Sequence, residues 1–244
     1  GIFTYAAAEG LIKGDNPADP ARKVLPSGDS VRRRPALLAF PLLGDVLRKA
    51  EAANLSRAVH MAHRLLAFCP GARISNVVEA EWKEFDLEAN TPMWTIPRGK
   101  MKARRDRDHD HKNILCPLIA EELRAWRNAT GGQGYLFRSP AGGAFITREA
   151  IEKAYRVTLS LADKHSPHGW RAAFATLAKE SEKPKFESDV VELALDHIHD
   201  TEVVRAYDRG ERLQQRIKLA AWWGEQLALA QRGAEVLPLK RGSR

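Results

Sequence analysis

Apolar positions along the chain follow two rhythms, one of helical spacing and one that alternates residue by residue. Helical spacing predicts helices over Pro41–Ala53 and Leu55–Phe68, the second ended by Pro70-Gly71. Alternation predicts strands over Trp82–Leu87 and Met93–Pro97, around the turn-rich Glu88–Pro92. Another short strand is read over Asn113–Pro117, after a strongly basic loop. Beyond it the rhythm is helical again, over Ile119–Asn128, Arg148–Asp163, His168–Lys179, Val190–Ala194 and a long Glu211–Arg232. The expected fold class is mainly α with a small three-stranded antiparallel β-sheet.

The opening residues Ile2–Ile12 read as the end of a helix stopped by Gly14-Asp-Asn-Pro17, as if continuing a longer protein. Asn16–Arg34 then shifts to Pro, Gly, Ser and basic residues, a linker composition. Its Arg32, Arg33 and Arg34 would face the phosphates of a polyanion, although a solvated linker fits the same residues. Within Glu211–Arg232, Leu213, Ile217, Ala220 and Ala221 line one side of a helix before Trp222-Trp223. That face suits a neighbouring protomer or the helix's own domain. The final Lys240–Arg244 is expected to be disordered.

Charge narrows the partners. Thirty-nine Lys and Arg against 31 Asp and Glu leave a net charge of +8 over 244 residues, which favours a polyanion. Cys69 and Cys116 stand alone, without the spacing of a disulfide framework or zinc finger, and fit a reducing cytoplasm. The most apolar stretch, Ala36–Leu47, is broken by Pro41 and Asp45 and is too short to span a bilayer. A soluble intracellular protein is expected. His109-Asp-His111 and His197-Ile-His-Asp200 raise the idea of a metal hydrolase, but their surroundings and spacing do not complete a metal site.

Four short motifs carry candidate chemistry. Ser166-Pro-His-Gly-Trp-Arg171 reads as a helix start, with Ser166 as N-cap and Pro167 in the first turn. His168 and Arg171 then share one face near the N–H groups of a helix end, a setting that suits an anion. Downstream, His197 precedes Tyr207 by ten residues. A phenol titrates near pH 10, so deprotonating it at pH 7 costs about 4 kcal/mol, and a nucleophilic tyrosine needs cations or a base beside it. Arg73 follows a helix stop and precedes Ile74, Val77 and Val78, so if buried it must be paired or aimed at a ligand. Finally, the basic loop from Pro97 to His109 holds Lys100, Lys102, Arg104 and Arg105. Each motif alone also fits a purely structural role.

Taken in order, Arg73, Lys102, His168-x-x-Arg171, His197 and Tyr207 resemble the signature of the tyrosine recombinase, or phage integrase, family. The flanks resemble integrases of prophages and genomic islands, in Trp82–Leu87, Trp94–Pro97, Met101-Lys102 and Trp222-Trp223. The resemblance covers residues 2 to about 230. It implies the DNA breaking-and-rejoining catalytic fold. Residues 1–35 would then be the end of a core-DNA-binding domain and its linker, 36–210 the catalytic domain, and 211–244 a helix and tail that dock protomers.

The resemblance further implies a site-specific recombinase that works without metal or cofactor. Tyr207 would attack the scissile phosphate, giving a 3′-phosphotyrosyl link and a free 5′-hydroxyl. Arg73 and Arg171 would hold the non-bridging oxygens, and Lys102 would protonate the leaving 5′-oxygen. His168 would be general base to the tyrosine, and His197 would hydrogen-bond the phosphate. The implied partners are double-stranded DNA, a homo-oligomer (a tetramer on DNA) and accessory DNA-bending or directionality proteins. Arg32, Arg33, Arg34, Lys100, Arg104 and Arg105 would bind DNA. The rival readings are a non-catalytic DNA-binding protein and a topoisomerase of similar chemistry. Two places depart from the family pattern: Asn76 stands where an acidic residue is usual, and Ala172 where His is frequent.

Overall fold

The computed structural model describes residues 2–12, 34–101, 110–140, 142–196 and 212–233. The chain forms two compact units, Gly1–Arg33 and Arg34–Arg244. In the first, α1 (Ile2–Ala8) is described, and Gly10, with φ +69°, ends it before the predicted stop. Apart from Arg34, the linker over Asn16–Arg34 lies outside the described residues, as does the Lys240–Arg244 tail.

The second unit begins with α2 (Phe40–Ala52), where Pro41 occupies the first turn. In α3 (Arg57–Phe68), Ser56 Oγ caps the start by accepting from the Val59 N–H. Every residue of α3 from Met61 to Phe68 is buried, Arg64 included. That buried guanidinium is paired with Glu122 and also donates to Gln231 Oε1 at 2.7 Å, which satisfies it. After α4 (Ile74–Val78) and a 3-10 turn over Trp82–Glu84 come β1 (Phe85–Asp86), β2 (Met93–Ile96) and β3 (His111–Ile114). They form an antiparallel sheet in the order β1-β2-β3, with Phe85 opposite Trp94 and Ile96 opposite His111.

The third strand lies two residues earlier than its apolar run suggests. Leu115 N–H is drawn off to Pro92 O, and Pro117 opens α5 (Pro117–Thr130). Gly131, with φ +81°, closes that helix. The long helix expected over Arg148–Asp163 is instead α6 (Arg148–Lys153) followed by a π-helical turn, Ala154–Thr158. Ser160 and Asp163, with φ of +51° and +58°, then end the helical path. Next come α7 (Gly169–Glu180), α8 (Ser188–Ala194) and α9 (Leu213–Gln231).

α9 packs on α2 within this unit. Its buried face is Leu219, Trp223, Leu227 and Ala230, joined by Trp222, not the Leu213–Ile217–Ala220–Ala221 side read from the sequence. The aromatic pair sets the rotation. Trp223 donates its indole N–H to Ala67 O at 2.8 Å and meets Phe174 edge-on at 5.3 Å. The helices approach closely because residue 44 is glycine, where a Cβ would lie 2.2 Å from Ala230 O. Among the described residues no helix is long and apolar enough to cross a membrane.

Candidate active site

Two of the candidate residues, Arg73 and Arg171, come together at the chain reversal Pro70–Gly71 between α3 and α4. Arg73 is the N-cap of α4, and its backbone N–H donates to Asn76 Oδ1 at 3.0 Å. Asn76 in turn donates its amide to Lys100 O at 2.8 Å. Arg171, in the first turn of α7, reaches back into this reversal. Its guanidinium donates to Pro70 O at 2.8 Å, Gly71 O at 2.5 Å and Leu195 O at 2.5 Å. Burial first, and the nearby positive charge of Arg73 second, lower the Arg171 pKa to about 10, which leaves it charged at neutral pH.

A carboxylate completes the cluster. Asp196, just after α8, is buried, with Oδ2 3.7 Å from Arg73 Nη1 and Oδ1 3.5 Å from His111 Nδ1. His111 Nε2 lies 3.2 Å from Asn113 Oδ1 on the same strand. Arg216 of α9 approaches from the far side and bonds Lys112 O. Burial lowers its pKa, and the charge of Asp196 works in the opposite direction. Two arginines read from the sequence, Arg73 and Arg171, thus meet around an acid that the sequence did not single out. His111 was weighed there only as half of a metal pair. Among the described residues no group of His, Cys, Asp and Glu is placed to hold a metal ion.

His168 is the N-cap of α7 and is exposed, while Arg171 one turn on is buried. The helix start is therefore later than the Ser166 cap read from the sequence. The Ser166 hydroxyl instead donates to Pro35 O at 3.2 Å, and its N–H donates there too at 3.0 Å. The Leu37 N–H donates to His165 Nδ1 at 3.1 Å. That histidine must accept, so it is neutral, and burial lowers its pKa to about 4. The segment Pro35–Leu37 is in this way strapped to the turn that presents His168.

Lys100 is used inside the protein rather than on a nucleic acid. Its ammonium donates to Glu79 O at 2.7 Å and Glu81 Oε1 at 2.8 Å, and pairs with Glu84. Burial alone would lower its pKa, but the hydrogen bonds to Glu81 and Glu84 outweigh that and raise it. Glu79 serves Lys100 through its carbonyl, and Asp196 stands beside Arg73. Arg34 is exposed. Lys102, His197, Tyr207, Arg32, Arg33, Arg104 and Arg105 lie outside the described residues.

Gly71 is the tightest point of the site. A Cβ there would lie 2.0 Å from Asn113 Oδ1, 2.5 Å from Ala194 O and 3.1 Å from His111 Nε2. Gly71→Ala must push α8 or β3 aside, and overpacking of this kind costs about 1–3 kcal/mol. The expected result is a lower thermal unfolding midpoint together with a damaged site. An unchanged midpoint would show that the reversal is looser than this geometry.

Comparison with known proteins places these features in context. The Phage integrase family model matches residues 44–212. Prophage integrase IntA of Escherichia coli (strain K12) is 29% identical over 243 residues, covering 97% of this chain. The chain spans about half of that relative, 54% of its length. Among solved structures, the integrase from mycobacterium phage Brujita aligns with a TM-score of 0.53 at 20% identity, over 93% of this chain and 68% of that one. XerH site-specific recombinase bound to difH substrate, in a pre-cleavage complex, aligns with a TM-score of 0.50 at 19% identity, over 75% and 52% of the respective chains. At these identities the structural matches speak for the fold.

Proposed function

The chain belongs to the phage integrase family, and from that premise we propose that it cleaves and rejoins DNA at a specific site through a tyrosine–phosphate link. The observation that carries this reading is the pairing of Arg73 with Arg171. Asp196 offsets part of the positive charge gathered there, and a further anion bound beside the two guanidinium groups would offset more. A phosphodiester is such an anion. Its non-bridging oxygens would take guanidinium donors in the transition state, where the charge on them grows.

The remaining groups come from the family pattern. The Tyr207 oxygen bonds to phosphorus while the phosphorus–5′-oxygen bond breaks. His168 takes the phenolic proton, Lys102 supplies one to the departing 5′-oxygen, and His197 hydrogen-bonds the phosphate. Attack by a 5′-hydroxyl of a second DNA end reverses these steps and completes strand exchange. The ordering of the exposed His168 one turn before the buried Arg171 supports its place at the mouth of the site. No step calls for a metal or a cofactor. Arg32–Arg34, Arg104 and Arg105 would bind flanking phosphates, whereas Lys100 is left out because carboxylates hold it. Double-stranded DNA is the substrate, and a tetramer on paired sites, with accessory DNA-bending proteins, is the working assembly. The XerH recombinase structure bound to its difH substrate supports the choice of partner.

A duplex carrying the attachment core, nicked near the crossover so that the cleaved end diffuses away, tests the proposal. The chain should become covalently joined to the 3′ side, with the DNA remnant mapped to Tyr207, and chelators should not reduce the yield. If the chain bound the duplex but no covalent complex survived denaturant, it would be a DNA-binding module instead.

A further inference from the structure

We propose that Asp196 is a positioning residue, whose buried carboxylate aligns Arg73 and the His111 imidazole around the phosphate site; this rests on the strand-cleavage reading. Asp196 has φ +57°, a conformation that costs a residue with a Cβ on the order of 1 kcal/mol and costs glycine little. The backbone turn after α8 therefore does not call for aspartate. Position and burial do. The side chain is 4% exposed, against 22% for Arg73, so the acid is the fixed partner and the arginine the adjustable one.

Electrostatics gives the carboxylate its task. Its charge offsets those of Arg171 and Arg216 as well as of Arg73, and losing it would leave Arg171 facing the like charge of Arg73. At 3.7 Å the Arg73 contact is longer than a hydrogen bond, so the carboxylate draws the guanidinium toward itself by charge. Through Oδ1 the same carboxylate faces His111, tying β3 to the end of α8.

Asn76 shows why the acid is not on α4. Its amide accepts from the Arg73 N–H and donates to Lys100 O. A carboxylate there would set an oxygen against a carbonyl oxygen and lose that donor. The negative charge near Arg73 is supplied across the fold, from Asp196.

Two substitutions separate charge from backbone. Asp196→Asn keeps the shape and removes the charge, while Asp196→Gly removes the carboxylate and relieves the positive φ. Both should bind the duplex at least as tightly as wild type, because a negative charge near phosphate is gone. Both should cleave the nicked substrate about tenfold more slowly or worse, since the guanidinium is no longer held in line. Both should also unfold at a lower midpoint, because the carboxylate that offsets the neighbouring guanidinium charges is gone. Wild-type cleavage by both variants would overturn the inference. So would weaker DNA binding that tracks the lost cleavage, because that pattern marks a purely structural residue. The binding comparison decides the matter even if wild type forms no covalent complex, an outcome that would defeat the strand-cleavage reading by itself.

Discussion

Tyr207→Phe should bind its DNA site normally and form no covalent complex with a nicked substrate. The substitution removes one oxygen and keeps the ring, so packing and charge are nearly conserved. What disappears is the atom proposed to bond to phosphorus. No neighbouring group replaces it, because histidine and lysine in this scheme move protons, and arginine has no lone pair to offer at neutral pH. The loss should therefore reach the detection limit rather than a partial decrease. Denaturing gels read the covalent product, and fluorescence anisotropy reads binding in parallel. Residual adduct above background would mean that another residue is the nucleophile.

Arg171→Lys should lower the cleavage rate by roughly 10²–10³ or more and also destabilise the fold. The guanidinium donates to the carbonyls of Pro70, Gly71 and Leu195 at once, which joins the α3–α4 reversal to the end of α8. An ammonium on a flexible stem has no fork to span these acceptors. Each buried carbonyl left without a donor costs about 1–3 kcal/mol, so a fall of at least about 2 kcal/mol in unfolding free energy is expected. Denaturant titration measures the fold, and single-turnover cleavage measures the site. A variant with wild-type stability and slow cleavage would show that Arg171 serves the phosphate but not the scaffold.

Much of this was legible in the chain. Helices with strong 3.6-residue rhythm, such as α2, α3 and α5, emerge within a residue or two of their expected limits. Features decided by tertiary contact were not. The Trp222-Trp223 pair rotates α9 away from the face that local apolar residues suggest, because Trp223 finds a carbonyl and a ring on other helices. The stretch after Lys153 loses its regular helix to a π-helical turn, in which Tyr155 is buried against His63 and Trp170. Ser166 has the residue type of a cap but spends its hydroxyl on Pro35.

The site shows the same division. Arg73 and Arg171 were readable because their spacing and order resemble a family pattern. Asp196 was not, since an aspartate beside a histidine is unremarked until burial places it between two guanidinium groups from distant parts of the chain. Lys100 was misleading for the matching reason. A lysine in a basic loop looks solvent-facing until Glu81 and Glu84 are seen to enclose it.

Pro35 and Leu37 hold the residues next to His168 through three hydrogen bonds, to the Ser166 N–H, the Ser166 hydroxyl and the His165 ring. A tug on the polypeptide at Arg34 is therefore delivered as a shear two positions short of that imidazole, not dissipated in a slack loop.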